Sequence, residues 1–186
     1  MKQLQPNLKA PVFILNDVFG RTIDLHAYAD KRILIAFFRH AGCPFCNLRV
    51  HALTRIHPEL KANGLEMIFF FESKESVLLR STFHKEVSPI PLISDPEKKW
   101  YAAYGLEPSA FISAKSHVLE FAQTAYKAFR AGVPIHAMAD GESINTIPAE
   151  FLVDRNLVIK KVNYSKGLND RISLDLINRF SIDGGG

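Results

Sequence analysis

Cysteine is scarce in this chain, with two residues among 186. A framework of several disulfides is excluded, and so is a zinc site of four thiolates. Long apolar runs are missing as well. The longest, such as "ILIAFF" and "MIFFF", are strand-sized, well short of the roughly 20 residues a membrane-spanning helix needs. The opening "MKQLQPNLKA" lacks the apolar stretch of a secretory leader, so the expected location is cytoplasmic, where thiols stay reduced. Lys and Arg outnumber Asp and Glu by 23 to 19 but are spread along the chain. No basic stripe marks a nucleic-acid surface. Repeats, low-complexity tracts and linkers are also absent. The expectation is one domain over residues 1–186, ending in a flexible tail at 183–186.

The pattern of apolar residues supplies the elements. "APVFILNDVFGRTIDL" reads as two short strands around a bend at Asn16, Asp17 and Gly20. "RILIAFF" and "LEMIFFF" are continuous apolar runs, as expected of strands buried on both faces. Between them, Leu48, Ala52, Leu53, Ile56 and Leu60 recur at helical spacing, which predicts a helix from about Cys43 to Lys61. A second helix is expected over 73–86, capped by Ser73. A short strand and a third helix follow within "PIPLISDPEKKWYAAYG". "EFLVD" and "LVIKKVNY" read as a strand pair, and Arg171 to Phe180 as a final amphipathic helix. Strands alternating with helices, then a hairpin, predict an α/β fold with a central mixed sheet flanked by helices.

Both cysteines fall in one C-x-x-C, "CPFC" at 43–46, directly after a buried strand and in the first turn of a helix. With Cys43 as N-cap, Pro44 occupies the first helical position, where its missing N–H is harmless. The free N–H groups of Phe45 and Cys46 would then face the Cys43 sulfur, and the helix dipole favours thiolate over thiol. Cys46 lies one turn on, close enough to resolve a mixed disulfide. Arg39, His40 and Arg49 are candidate activators of the thiolate, through charge or proton donation. Two other uses of the pair stay open. One is half of a zinc site completed by His40, His51 or His57, whose helical positions do not converge well. The other is a pair of buried core thiols.

"APVFILNDVFGRTIDL", "ILIAFFRHAGCPFC", "PLISDPEKKWYAAYG" and "IPAEFLVD" stand in an order that resembles peroxiredoxin-like proteins of the AhpC/TSA (redoxin) group. The likeness covers nearly the whole chain except about residues 107–143. It implies a thioredoxin-like fold with an N-terminal β-hairpin, and thiol redox activity without a bound cofactor. It also implies a cis proline opposite the cysteines, matched by Pro148 in "NTIPAEFLVD", with the backbone of Thr146 and Ile147 pairing with substrate. Peroxiredoxins typically carry P-x-x-x-T-x-x-C and an arginine on a neighbouring strand. Aligning Cys46 as the attacking residue puts Cys43 at the threonine, Arg39 at the proline and Pro148 at the arginine. Aligning Cys43 instead puts His40 and Ala36 at the first two positions. Either way the donors aimed at a peroxide oxygen are incomplete.

The preferred reading is thus a thiol–disulfide oxidoreductase with Cys43 attacking and Cys46 resolving. A thiol peroxidase that forms a Cys43–Cys46 disulfide is the alternative. A redox-inactive or zinc-stabilised binding protein is the second alternative. Expected partners are a thiol or disulfide protein, or a peroxide, and a thioredoxin- or glutathione-type reductant. Residues 107–143 read as an insertion containing one long helix, with Val118, Leu119, Ala122, Ala125, Tyr126 and Phe129 on its apolar face. That face would pack on the core, cap the redox site or form a homodimer.

Overall fold

A computed structural model describes residues 3–106, 123–133, 142–143, 145–167 and 169–184. Strand β1 (Ile14–Asn16) pairs with β2 (Thr22–Asp24) as a separate antiparallel hairpin. A five-stranded sheet has the order β5-β4-β3-β6-β7, with β3 (Arg32–Phe37) at its centre, β4 (Leu65–Phe71) and β5 (Leu92–Ser94) on one side, and β6 (Ala149–Val153) and β7 (Ile159–Tyr164) on the other. β3, β4 and β5 are parallel, whereas β6 and β7 run antiparallel. This is the mixed sheet expected.

Helix α1 (Pro44–Ala62) joins β3 to β4. Together with α6 (Leu174–Asp183) it covers the face formed by Leu34, Ala36, Phe38, Met67, Phe69 and Leu152. The opposite face, with Ile33, Ile35, Phe37, Phe70 and Phe151, is covered by the hairpin and α4 (Lys99–Ala103). Period-two alternation of strand side chains produces both faces from one apolar run. Among the described residues no helix is long and apolar enough to cross a membrane.

Three expected elements differ. The helix over 73–86 is two short ones, α2 (Glu75–Leu78) and α3 (Thr82–Glu86), because Ser81 returns to an extended backbone (φ −86°, ψ 120°). Ser73 caps neither, since its hydroxyl accepts a hydrogen bond from the Ala41 N–H at 2.7 Å. The last helix begins at Leu174 rather than Arg171, where Ser173 accepts the Leu176 N–H, and ends at Gly184 with φ 71°. That left-handed conformation suits glycine. Most of the long helix predicted within 107–143 lies outside the described residues. In its described part, α5 (123–130), Thr124 and Ala128 are buried, whereas Tyr126 and Phe129, placed on the packed face by their spacing, are exposed.

Candidate active site

The site forms at the C-terminal ends of the parallel strands, where open α/β sheets hold their ligands. β3 leaves the sheet at Phe37, and Phe38 remains tied to β4 by its N–H to the Phe70 carbonyl (2.8 Å). Its own carbonyl accepts the buried Tyr101 hydroxyl at 2.5 Å. The turn from Arg39 to Cys43 is then clasped from several directions. Ala41 donates to Ser73, Asn47 Nδ2 donates to the Ala41 carbonyl at 2.7 Å, and the Cys43 N–H closes onto the His40 carbonyl at 3.1 Å.

Cys43 is the N-cap of α1, with Pro44 following, but its sulfur takes no capping hydrogen bond from the helix. This corrects the expectation that the Phe45 and Cys46 N–H groups would stabilise it. The Cys43 sulfur instead faces a guanidinium, with Arg39 Nη2 3.1 Å away. The two cysteines approach to 3.2 Å, unbridged, and the Cys46 thiol donates to Cys43. The Arg39 backbone N–H in turn donates to the Cys46 sulfur at 3.3 Å. Cys43 and Cys46 are wholly buried, and Arg39 nearly so.

Burial alone would raise both thiols. At Cys43 the opposing effects win: the Cys46 hydrogen bond and the charges of Arg39 and His40 hold its pKa well below the usual thiol range. At Cys46 burial, the bond it donates and the Cys43 charge push the pKa well above that range, against the weaker pull of Arg39 and Arg171. One proton is thus shared unequally, giving one thiolate and one thiol. His40, also buried, is held below its usual pKa by desolvation, and its Nδ1 lies 3.7 Å from Glu142.

Arg39 and His40 therefore lie at the cysteines. Arg49 is engaged elsewhere: its Nε and Nη2 grip the two oxygens of buried Glu150 at 2.8 and 2.9 Å. Pro148 precedes β6 as expected, but the described residues contain no cis peptide bond, so the predicted cis geometry is corrected to trans. Trans is the lower-energy form of an X–Pro bond, and a proline opening a strand removes no needed donor. Thr146 is buried, and its hydroxyl donates to Glu72 at 2.6 Å and accepts from Lys98 Nζ at 2.9 Å.

Glu72, Lys98, Glu142, Glu150 and Arg171 were not singled out by their pattern in the chain. Two carried a signal there. Glu72 ends the apolar run of β4, and Glu150 interrupts the apolar run of β6; charge in such positions asks for a partner. Glu72 finds Lys98 at 2.8 Å, whose left-handed backbone (φ 57°) precedes α4. Among the described residues no three His, Cys, Asp or Glu side chains gather as a metal-binding group.

The AhpC/TSA family profile matches residues 6–162. The chain belongs to the AhpC/TSA family. Its relatives fall in two functional groups by name. A Mycobacterium tuberculosis protein named among the peroxiredoxins is 28% identical over 104 residues, 55% of this chain and 65% of that protein. Peroxiredoxin Bcp of Escherichia coli K12 is 27% identical over 106 residues, 57% of this chain and 67% of Bcp. The thiol-disulfide oxidoreductase ResA of Bacillus anthracis is 22% identical over 107 residues, 58% of this chain and 61% of ResA. The match thus spans less than two thirds of the first and last of these proteins. Among solved structures, a thiol peroxidase from Chromobacterium violaceum has a TM-score of 0.66 at 16% identity, covering 98% of this chain and 89% of its own. Peroxidoxin BcpB of M. tuberculosis gives 0.64 at 13%, covering 97% and 95%. These likenesses establish the thioredoxin-like fold of this AhpC/TSA protein.

Proposed function

We propose that this AhpC/TSA protein is a thiol–disulfide oxidoreductase in which Cys43 attacks and Cys46 resolves. The observation that carries the reading is the paired environment of Cys43, with a guanidinium nitrogen at 3.1 Å and the Cys46 thiol donating to the same sulfur. Thiolate is the nucleophilic form, and it is stabilised here without an external base. The Cys43 thiolate attacks one sulfur of a substrate disulfide and expels the other as a thiolate. Cys46 then attacks Cys43, the mixed disulfide breaks, and the second substrate sulfur leaves with a proton. The substrate is reduced, the pair is oxidised, and a thioredoxin- or glutathione-type reductant restores it. The backbone at Thr146 and Ile147, just before β6, is the segment that pairs with an incoming chain once their burial is relieved.

A second reading is favoured by the complete burial of both sulfurs, which suits a small oxidant better than a protein. Here the Cys43 thiolate attacks a hydroperoxide oxygen, the O–O bond breaks, and an alcohol or water leaves. Cys46 condenses with the resulting sulfenic acid, releasing water.

Intact mass and free-thiol count test both readings. Reduced wild type, Cys43→Ser and Cys46→Ser receive one equivalent of oxidised glutathione or of hydrogen peroxide. The expected result is rapid loss of both thiols in wild type, a trapped glutathione adduct in Cys46→Ser, and reaction slowed on the order of 10³-fold or more in Cys43→Ser. Faster oxidation by peroxide than by disulfide selects the second reading. Wild type that stays reduced under both overturns the proposal.

A further inference from the structure

Among the described residues, Glu150 and the two arginines beside it leave a charge unanswered. Glu150 is fully buried, and both its oxygens are taken by Arg49, with the Ile172 N–H adding a third bond at 2.9 Å. Arg171 lies against the same carboxylate, but its Nε is 3.7 Å from Oε1, too far for a hydrogen bond. Among the described residues only its Nη1 is satisfied, by Ser165 Oγ at 3.0 Å and the Asp170 carbonyl at 2.7 Å. Nε and Nη2 are buried donors that find no hydrogen-bond partner among the described residues, on a side chain 8% exposed. Within that set one carboxylate thus faces two guanidiniums. A buried positive charge in excess is costly unless an anion answers it.

The surroundings say which anion. Arg49 follows Cys46 by three residues on α1, so the two side chains share a helix face. Arg49 Nη2 also holds the Ile172 carbonyl at 2.7 Å, drawing residues 171–172 onto that face, and Ile172 packs in the cluster containing both cysteines. We propose that Arg171 is a second cation, beside the Arg39 shared by both cysteines, that stabilises the negative charge Cys46 acquires when it attacks Cys43. This rests on the Cys43–Cys46 cycle proposed above. In the step, the Cys46–Cys43 sulfur bond forms as the bond from Cys43 to the substrate sulfur breaks. The leaving sulfur takes the electron pair and the Cys46 proton, so no outside reagent is needed.

Among the described residues Cys43, Arg39 and Arg171 act on Cys46, the Arg39 backbone N–H donates to its sulfur at 3.3 Å, and the Cys46 charge in turn acts on the Tyr101 phenol. Cys43 raises the Cys46 pKa while it is a thiolate, and Arg39 and Arg171 lower it. Once Cys43 is bonded to substrate its charge is gone. The field of Arg171 then acts unopposed by it.

Absorbance titration of the thiolate at 240 nm tests the assignment without depending on turnover. In a Cys43→Ser background, Arg171→Met is expected to raise the Cys46 pKa by about one unit and Arg171→Lys to restore most of it. In a Cys46→Ser background, Arg171→Met leaves Cys43 unmoved. Glu150→Gln removes the opposing charge and lowers the Cys46 pKa. With otherwise intact protein and 5,5′-dithiobis(2-nitrobenzoate), the first thiol release keeps its rate in Arg171→Met while the second slows about tenfold. An unmoved Cys46 in folded Arg171→Met, an equal shift at Cys43, or an unmoved or raised Cys46 in Glu150→Gln overturns the assignment. Wild type that releases no thiol sinks the oxidoreductase reading instead, because the titrations still report the coupling between Arg171 and Cys46.

Discussion

The two faces of β3 are equally buried and differently used. Ile33, Ile35 and Phe37 point to one side, and Leu34, Ala36 and Phe38 to the other, all inaccessible to solvent. The first side is packed with rings. Phe37 stacks on Phe70 (4.6 Å between centroids, 16° between planes) and meets Tyr101, Tyr104 and Phe151 edge-on or tilted. Its hydroxyls are satisfied, Tyr101 by the Phe38 carbonyl and Tyr104 by that of Pro11. The second side carries both cysteines and Glu150 with its arginines. Confining the cysteines to one face lets the other fix the geometry of the strand that leads into Arg39. Burial alone therefore does not distinguish the two faces; buried charge does.

Breaking the scaffold face has the largest expected effect. Phe37→Ala removes a ring from the centre of that stack and should cost about 3–5 kcal/mol of stability, read as a lower denaturant midpoint. Below the transition, the 240 nm titration of Cys43 should not change. A pKa shift as large as that from Arg39 substitution would show that the two faces are not separable.

The next effect sharpens the site side. Arg39→Met removes the guanidinium 3.1 Å from Cys43, so the Cys43 pKa should rise by about one to three units. Arg39→Lys, which keeps the charge but not the planar fork, should recover part of this. The titration is best made in a Cys46→Ser background, where a single thiol absorbs. No rise would assign the depressed pKa to the hydrogen bond donated by residue 46 and to His40.

How much of this was readable in the chain divides along the same line. "ILIAFF" and "LEMIFFF" announce buried strands because apolar runs of that length have few other uses, and Pro44 after Cys43 marks the start of α1. Arg39 and His40 were legible because they adjoin the cysteines in sequence. Glu72, Lys98, Glu150 and Arg171 were not, since they reach the site from separate segments and only tertiary packing joins them. Arg49 shows the converse. Helical spacing puts it on the face of α1 that carries Cys46, but spacing does not reveal that Glu150 waits on β6 to take its charge. Likewise the position of Pro148 before a strand was plain, whereas the isomer of its peptide bond is set by the surrounding fold.

The smallest expected effect compares the reduced and oxidised pair across pH. An unfolded thiol titrates near a pKa of about 8.5. Cys43 lies below this in the folded protein, so its contribution to stability is lost as pH falls through its folded pKa and is complete above about 8.5. Cys46 lies above it, so its contribution is complete below about 8.5 and is lost as pH rises toward its folded pKa. The reduced protein should therefore gain stability with rising pH below about 8.5 and lose it above, each limb sloping by at most about 1.4 kcal/mol per pH unit. Forming the disulfide removes both thiols and, with the Cys43 charge, its upward pull on the buried His40, while the carboxylates stay in place. Subtracting the oxidised curve from the reduced one, both from denaturant melts, leaves the pair and its coupling to His40, and should show a maximum near that pH. A difference that rises or falls monotonically would mean that the two cysteines do not share their proton unequally, and the roles assigned to Arg39 and Arg171 would lose their purpose.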